Sequence, residues 1–138
     1  MAEDFSKNLI ADFKHWTLYI YTNQGYLGRC VIWCKREGAM NLEDATLDEM
    51  EEFLEIIRKL KTAVQKSFQA DWFNYAFLAN ATIHLHCHFV PRYKTERELN
   101  GTRFKDELWG HNYKTDKSFV TSTETLQKVK ATIIENLI

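Results

Sequence analysis

Residues 84–90 read His-Leu-His-Cys-His-Phe-Val, with imidazoles and apolar side chains in strict alternation. Period two is the period of a β-strand, whose successive side chains point to opposite faces. The alternation therefore predicts a strand over 83–90. It puts His84, His86 and His88 in one row and sets Ile83, Leu85, Cys87 and Phe89 against a core. A row of imidazoles on a rigid strand offers a nucleophile, a proton carrier and hydrogen-bond donors, all near neutral pH.

The rest of the chain supplies partners for such a strand. Trp16–Thr22 is aromatic and β-branched and predicts a strand. Asn23-Gln-Gly-Tyr-Leu-Gly28 is a turn by its Asn and glycines, and Arg29–Lys35 predicts the hairpin partner. Thr46-Leu-Asp-Glu49 fits a capping box that opens a helix over 46–68. Met50, Phe53, Leu54, Ile57, Leu60, Ala63, Val64 and Phe68 recur on one face of it. Trp72–Leu78 returns to strand character, and Asn80-Ala-Thr82 links it to the histidine strand. Pro91, the only proline, has no N–H and marks a strand end or a free edge. Arg92–Phe119 is a long, polar, interrupted stretch. Thr121-Ser-Thr-Glu124 offers a second capping box, and Leu126, Val129, Ile133, Ile134 and Leu137 give the last helix an apolar stripe. The order predicts an α+β fold: an antiparallel β-sheet with a long helix and a C-terminal helix on one face.

A chain of 138 residues, 45% hydrophobic and 27% charged, suits one domain over 1–138 with one core. The net charge of −1 argues against nucleic-acid or membrane-surface partners, though not against a small anion held at a local positive site. Three cysteines, Cys30, Cys34 and Cys87, do not make a secreted disulfide framework, so free thiols are expected. No apolar run reaches the roughly 18 residues of a membrane span, and Met1–Lys14 does not resemble a signal peptide. A cytoplasmic protein is the expectation.

Three readings of the histidine row compete. One is a half-exposed strand with a polar face. A second is a metal site, completed by residues such as His15, His111, Cys30 or Glu37. But His84 and His88 lie about 13 Å apart on an extended strand, at roughly 3.3 Å per residue. Three rings so placed do not converge on one ion with bonds of roughly 2 Å. The third is nucleophilic attack on phosphorus. A neutral imidazole attacks well when its other nitrogen is held by an acceptor, and flanking imidazoles can stabilise the phosphoryl oxygens.

His84-Leu-His-Cys-His-Phe-Val90, followed by Pro91-Arg92-Tyr93, resembles the signature of the histidine triad (HIT) superfamily. The resemblance runs over roughly residues 15–137 and is strongest at 84–93. The tail Phe104–Tyr113 resembles the extension of dinucleoside polyphosphate hydrolase-like members. The resemblance implies a hydrolase or transferase acting on the α-phosphate of a nucleotide through a nucleotidyl-histidine intermediate. His86 becomes the nucleophile, with its second nitrogen held by the carbonyl of His84. His84 and His88 contact the phosphate. Asn80, Asn23, Tyr26 and Arg92 become substrate-binding: Asn80 near the phosphates, Asn23 at the ribose, Tyr26 in the base pocket with Leu27 and Trp33, and Arg92 at an outer phosphate. No cofactor is required, although a divalent metal can accompany the nucleotide, and a homodimer is expected. A nucleoside phosphoramidase, a phosphorylase or a non-catalytic nucleotide-binding module would carry the same motif. One departure stands out. Many members carry a fourth histidine after the second strand, where this chain reads Cys34-Lys-Arg-Glu37-Gly-Ala-Met40.

Overall fold

Five strands form one sheet in the computed structural model, which describes residues 5–137. They are β1 (Leu9–Asp12), β2 (Trp16–Ile20), β3 (Cys30–Cys34), β4 (Trp72–Ala76) and β5 (His86–Arg92), in the order β1-β2-β3-β5-β4. Every neighbouring pair is antiparallel. Helix α1 (Leu47–Phe68) joins β3 to β4, and α2 (Thr123–Asn136) ends the described chain.

Register decides which residues share a face. Leu18 pairs with Ile32 and Ile32 with Cys87, while Ile20 pairs with Cys30 and Cys30 with Phe89. All six are buried, in one cluster with Phe53, Ile56, Leu60 and Val64 of α1. The opposite face carries the other set of partners: Val31 pairs with His88 and Trp33 with His86. One face of the sheet thus supports the helix, and the other is left for chemistry.

Thr46 caps α1. Its side chain accepts from Glu49 N, and Glu49 Oε1 accepts from Thr46 N at 2.8 Å. The buried stripe of the helix turns slightly from the expected one. Ile56 is buried, three residues past Phe53 and four before Leu60, whereas Leu54 is exposed. In α2, Ile134 likewise faces out. That helix is capped by Ser122, not Thr121, because Thr121 Oγ1 accepts from Gln24 N at 2.9 Å instead.

Three strands were not expected. Strand β1 is short and has no buried residue, so its alternation is too weak to read. Within Arg92–Phe119, β6 (Arg97–Leu99) and β7 (Thr102–Phe104) form a hairpin. Its turn is Asn100-Gly101, both at positive φ, the Asn-Gly pair that favours such turns.

The histidine strand also starts later and ends later than its alternation predicts. Leu85 O still accepts from Cys34 N at the end of β3, but Leu85 N donates to Ala39 O, beyond that strand. His84 therefore precedes the strand in a local turn, and Ile83 is 72% exposed, not core. At the other end β5 continues through Pro91, which pairs with Phe73 of β4. Its missing N–H costs nothing there, because β3 pairing has already stopped at Phe89.

Candidate active site

On the face opposite α1 lies a cavity of about 660 Å³, within the range of small-molecule sites. His86 and His88 of β5, Trp33 and Val31 of β3, and the segment Leu78–Thr82 line it. The C-terminal extension returns to supply Tyr113 and Thr115. The sheet makes the histidine row rigid, and aromatic rings hold it further. Trp33 stacks on His84 at 4.3 Å between centroids and on His86 at 5.5 Å. His86 and His88 meet edge to face at 5.2 Å.

Hydrogen bonds fix where the protons sit. His86 Nδ1 lies 2.6 Å from the carbonyl oxygen of His84. A carbonyl only accepts, so Nδ1 carries the proton and the Nε2 lone pair is free on a cavity-lining ring. His84 Nε2 lies 2.6 Å from Cys34 O and must donate in the same way. His88 Nδ1 lies 3.1 Å from Nη2 of Arg29. A guanidinium only donates, so this nitrogen accepts, and a neutral His88 carries its proton on Nε2. His86 and His88 thus have opposite tautomers. Burial, the Arg29 cation and His86 together push the pKa of His88 down to about 4.

Arg29 was not singled out in the sequence. It is 3% exposed, yet it lines the cavity. Its Nη1 donates to Thr115 Oγ1 at 2.8 Å. Its guanidinium lies over Tyr21 at 4.2 Å and over Tyr113 at 5.0 Å. Nε is buried with no partner among the described residues. No local signal reveals it, since an arginine at a strand start reads as a surface charge. Its partners come from 59 and 86 residues away.

Of the residues expected to bind substrate, Asn80 lines the cavity and is exposed. Asn23, Tyr26 and Arg92 do not line it. Asn23 braces its own turn: Oδ1 accepts from Gly25 N at 2.8 Å, and Nδ2 donates to Asp116 O at 2.8 Å. Tyr26 is buried, and its hydroxyl accepts from Lys114 N at 3.0 Å. Leu27 is buried in the core. Arg92 is fully occupied. Nε and Nη2 donate to the Asp106 carboxylate at 2.7 and 3.0 Å, and Nη1 donates to Asn74 Oδ1 and His111 O, each at 2.7 Å. Glu37 sits exposed in a loop and does not line the cavity.

Cys30, Cys34 and Cys87 are free and buried, and burial pushes the Cys87 thiol up to about 12. Among the described residues, no three His, Cys, Asp or Glu side chains are grouped to hold a metal ion. None of the described helices is long and apolar enough to cross a membrane.

The family model of the HIT domain matches residues 5–95, so the chain belongs to the HIT family. Solved structures of histidine triad proteins share the fold. One from Bradyrhizobium japonicum is 14% identical with a TM-score of 0.74, the match covering 100% of this chain and 97% of that one. A Hit-like protein involved in cell-cycle regulation from Bartonella henselae is 21% identical with a TM-score of 0.69, covering 94% and 86%. Plasmodium falciparum diadenosine triphosphate hydrolase is 12% identical with a TM-score of 0.64, covering 94% and 76%. No curated protein matches the sequence.

Proposed function

We propose that this chain hydrolyses dinucleoside polyphosphates by double displacement at the α-phosphorus. The observation that carries the reading is the 2.6 Å contact from His86 Nδ1 to His84 O. It orients the ring and leaves Nε2 as a neutral nucleophile. In the first step Nε2 bonds to the α-phosphorus, and the bond from phosphorus to the bridging oxygen breaks. The electron pair leaves with the departing polyphosphate nucleotide. In the second step water attacks phosphorus, the phosphorus–nitrogen bond breaks, and a nucleoside monophosphate is released. His88 flanks the reacting phosphate and Asn80 reaches it from the cavity rim, whereas His84 does not line the cavity and acts through the carbonyl that holds His86.

Two features favour a polyphosphate leaving group over an amine. The cavity contains a buried cation, Arg29, with no carboxylate partner among the described residues. Its walls include Tyr19, Tyr21, Trp33 and Tyr113, suited to stacking on a base. The reading requires no bound cofactor, and a divalent cation enters with the nucleotide. We take the working unit to be a homodimer: β4 is a sheet edge, and its Trp72 and Tyr75 are exposed. Sedimentation at micromolar concentration checks this, with a monomer as the contrary result.

Chromatography of products tests the reaction. Wild type and His86→Ala are mixed with diadenosine tri- and tetraphosphate and with adenosine phosphoramidate, with and without added inorganic phosphate. Turnover of the polyphosphates to AMP by wild type alone supports the proposal. Preferential amide cleavage reassigns the leaving group, and phosphate-dependent release of ADP makes the enzyme a phosphorylase. Binding with no turnover favours a non-catalytic nucleotide module.

A further inference from the structure

Arg29 is bound in a way that a purely structural arginine is not. Among the described residues, no carboxylate forms an ion pair with it. Two aromatic faces, Tyr21 and Tyr113, hold its plane, and Thr115 takes one end of its fork. Its backbone is pinned too, since Arg29 O accepts from Gln24 Nε2 at 2.9 Å and from Tyr21 N at 3.0 Å. All this fixes where Nη2 points, and it points at His88 Nδ1. Guanidinium keeps its proton in proteins, so the contact admits one direction only.

We propose that Arg29 is a positioning residue that locks His88 as the Nε2–H tautomer, so that His88 presents a donor to the phosphoryl group in the cavity. The inference rests on the hydrolase reading for its catalytic meaning, but the lock itself is a property of the free protein. The contrast with His86 makes the lock useful. His86 must offer a lone pair at Nε2, and its carbonyl partner secures that. His88 must offer a proton at Nε2 to charge building on a phosphoryl or leaving oxygen. A backbone carbonyl at Nδ1 would give His88 the wrong tautomer, whereas a cationic donor gives the right one. The same cation opposes protonation of His88, so the donor stays a neutral imidazole.

Among the described residues, the titratable groups around His88 are few. Arg29 and His86 face it directly, and Tyr21 lies edge-on at 5.4 Å. Tyr113 stands beyond Arg29, and the cross-strand partners Val31 and Ala76 do not titrate. Arg29 is therefore the group to remove.

Nitrogen-15 NMR of histidine-labelled, ligand-free protein reads the tautomer directly. The expected result in wild type is His88 with Nδ1 unprotonated and Nε2 protonated, beside His86 with the reverse. In Arg29→Met, His88 should populate both tautomers and titrate at higher pH. A wild-type His88 protonated on Nδ1 overturns the proposal whether or not the variant folds. An unchanged tautomer in folded Arg29→Met overturns it as well. With diadenosine triphosphate, Arg29→Met should lose about 100-fold in kcat, the low end of what a positioned proton donor supplies. Its acid limb should move to higher pH. The predicted tautomer in a wild type that turns over no nucleotide supports the lock and defeats the hydrolase reading separately.

Discussion

Arg29 and Arg92 are each 3% exposed, and each guanidinium lies near tyrosine rings. They stand towards the same end of one sheet face, because β3 and β5 run antiparallel and Cys30 pairs with Phe89. Arg92 continues the row His86, His88, Val90 along β5, but the C-terminal extension covers it with Asp106 and two backbone carbonyls. Arg29 faces the cavity, donates to an imidazole and leaves Nε without a partner among the described residues. What separates a structural arginine from a working one is thus not burial but whether a carboxylate has already claimed its charge. The motif Pro91-Arg92 draws the eye to Arg92, although Arg29 is the arginine that touches the histidine row.

The largest effect that can sharpen this contrast belongs to neither arginine. His86→Ala should cost roughly 10⁴-fold or more in kcat, as loss of a nucleophile does. Its thermal melt should stay close to wild type, since the ring lines the cavity. Next comes Arg92. Asp106→Asn strands a buried cation and should destabilise the fold by about 3–5 kcal/mol in urea denaturation. Turnover per folded molecule should change little. A large kcat loss with no loss of stability would break the comparison.

Acid pH sharpens the Arg29 half of the comparison. His88 is pushed down to about 4 in the folded protein, while an unfolded histidine titrates near about 6.5. Between those values the unfolded chain binds a proton that the folded chain refuses. This contribution to stability is present in full above about 6.5 and is lost as pH falls towards 4. The shift corresponds to about 3 kcal/mol at most. Urea midpoints across that window should show the slope in wild type and a shallower one in Arg29→Met. The smallest effect lies away from both arginines. Thr46→Ala removes the cap of α1 and should cost about 1 kcal/mol, with kcat unchanged.

Local patterns carried much of the fold. Alternation at Leu85, Cys87 and Phe89 marks the core face of β5, and Thr46 with Glu49 marks the start of α1. Tertiary competition explains the rest. Thr121 loses the cap of α2 to Ser122 because Gln24, 97 residues away, engages its hydroxyl. His84 precedes the strand because β3 ends at Cys34 and Leu85 N turns to Ala39 O instead. Spacing alone was enough to set His86 and His88 on one face of a strand, where they line the cavity, but His84 lies before the strand and does not line it. The role of Arg29 could not be read from spacing, because it depends on His88 and Thr115, which only the folded sheet and the returning extension bring to it.

In the proposed hydrolysis the nucleotidyl group passes to His86 and then to water. Hydrolysis of a dinucleoside polyphosphate made chiral at the α-phosphorus with sulfur, in oxygen-18 water, reads this directly. Two in-line displacements predict a nucleoside phosphorothioate with retained configuration. Inversion would mean that water attacks the substrate in one step, and the nucleotidyl-His86 account would fail.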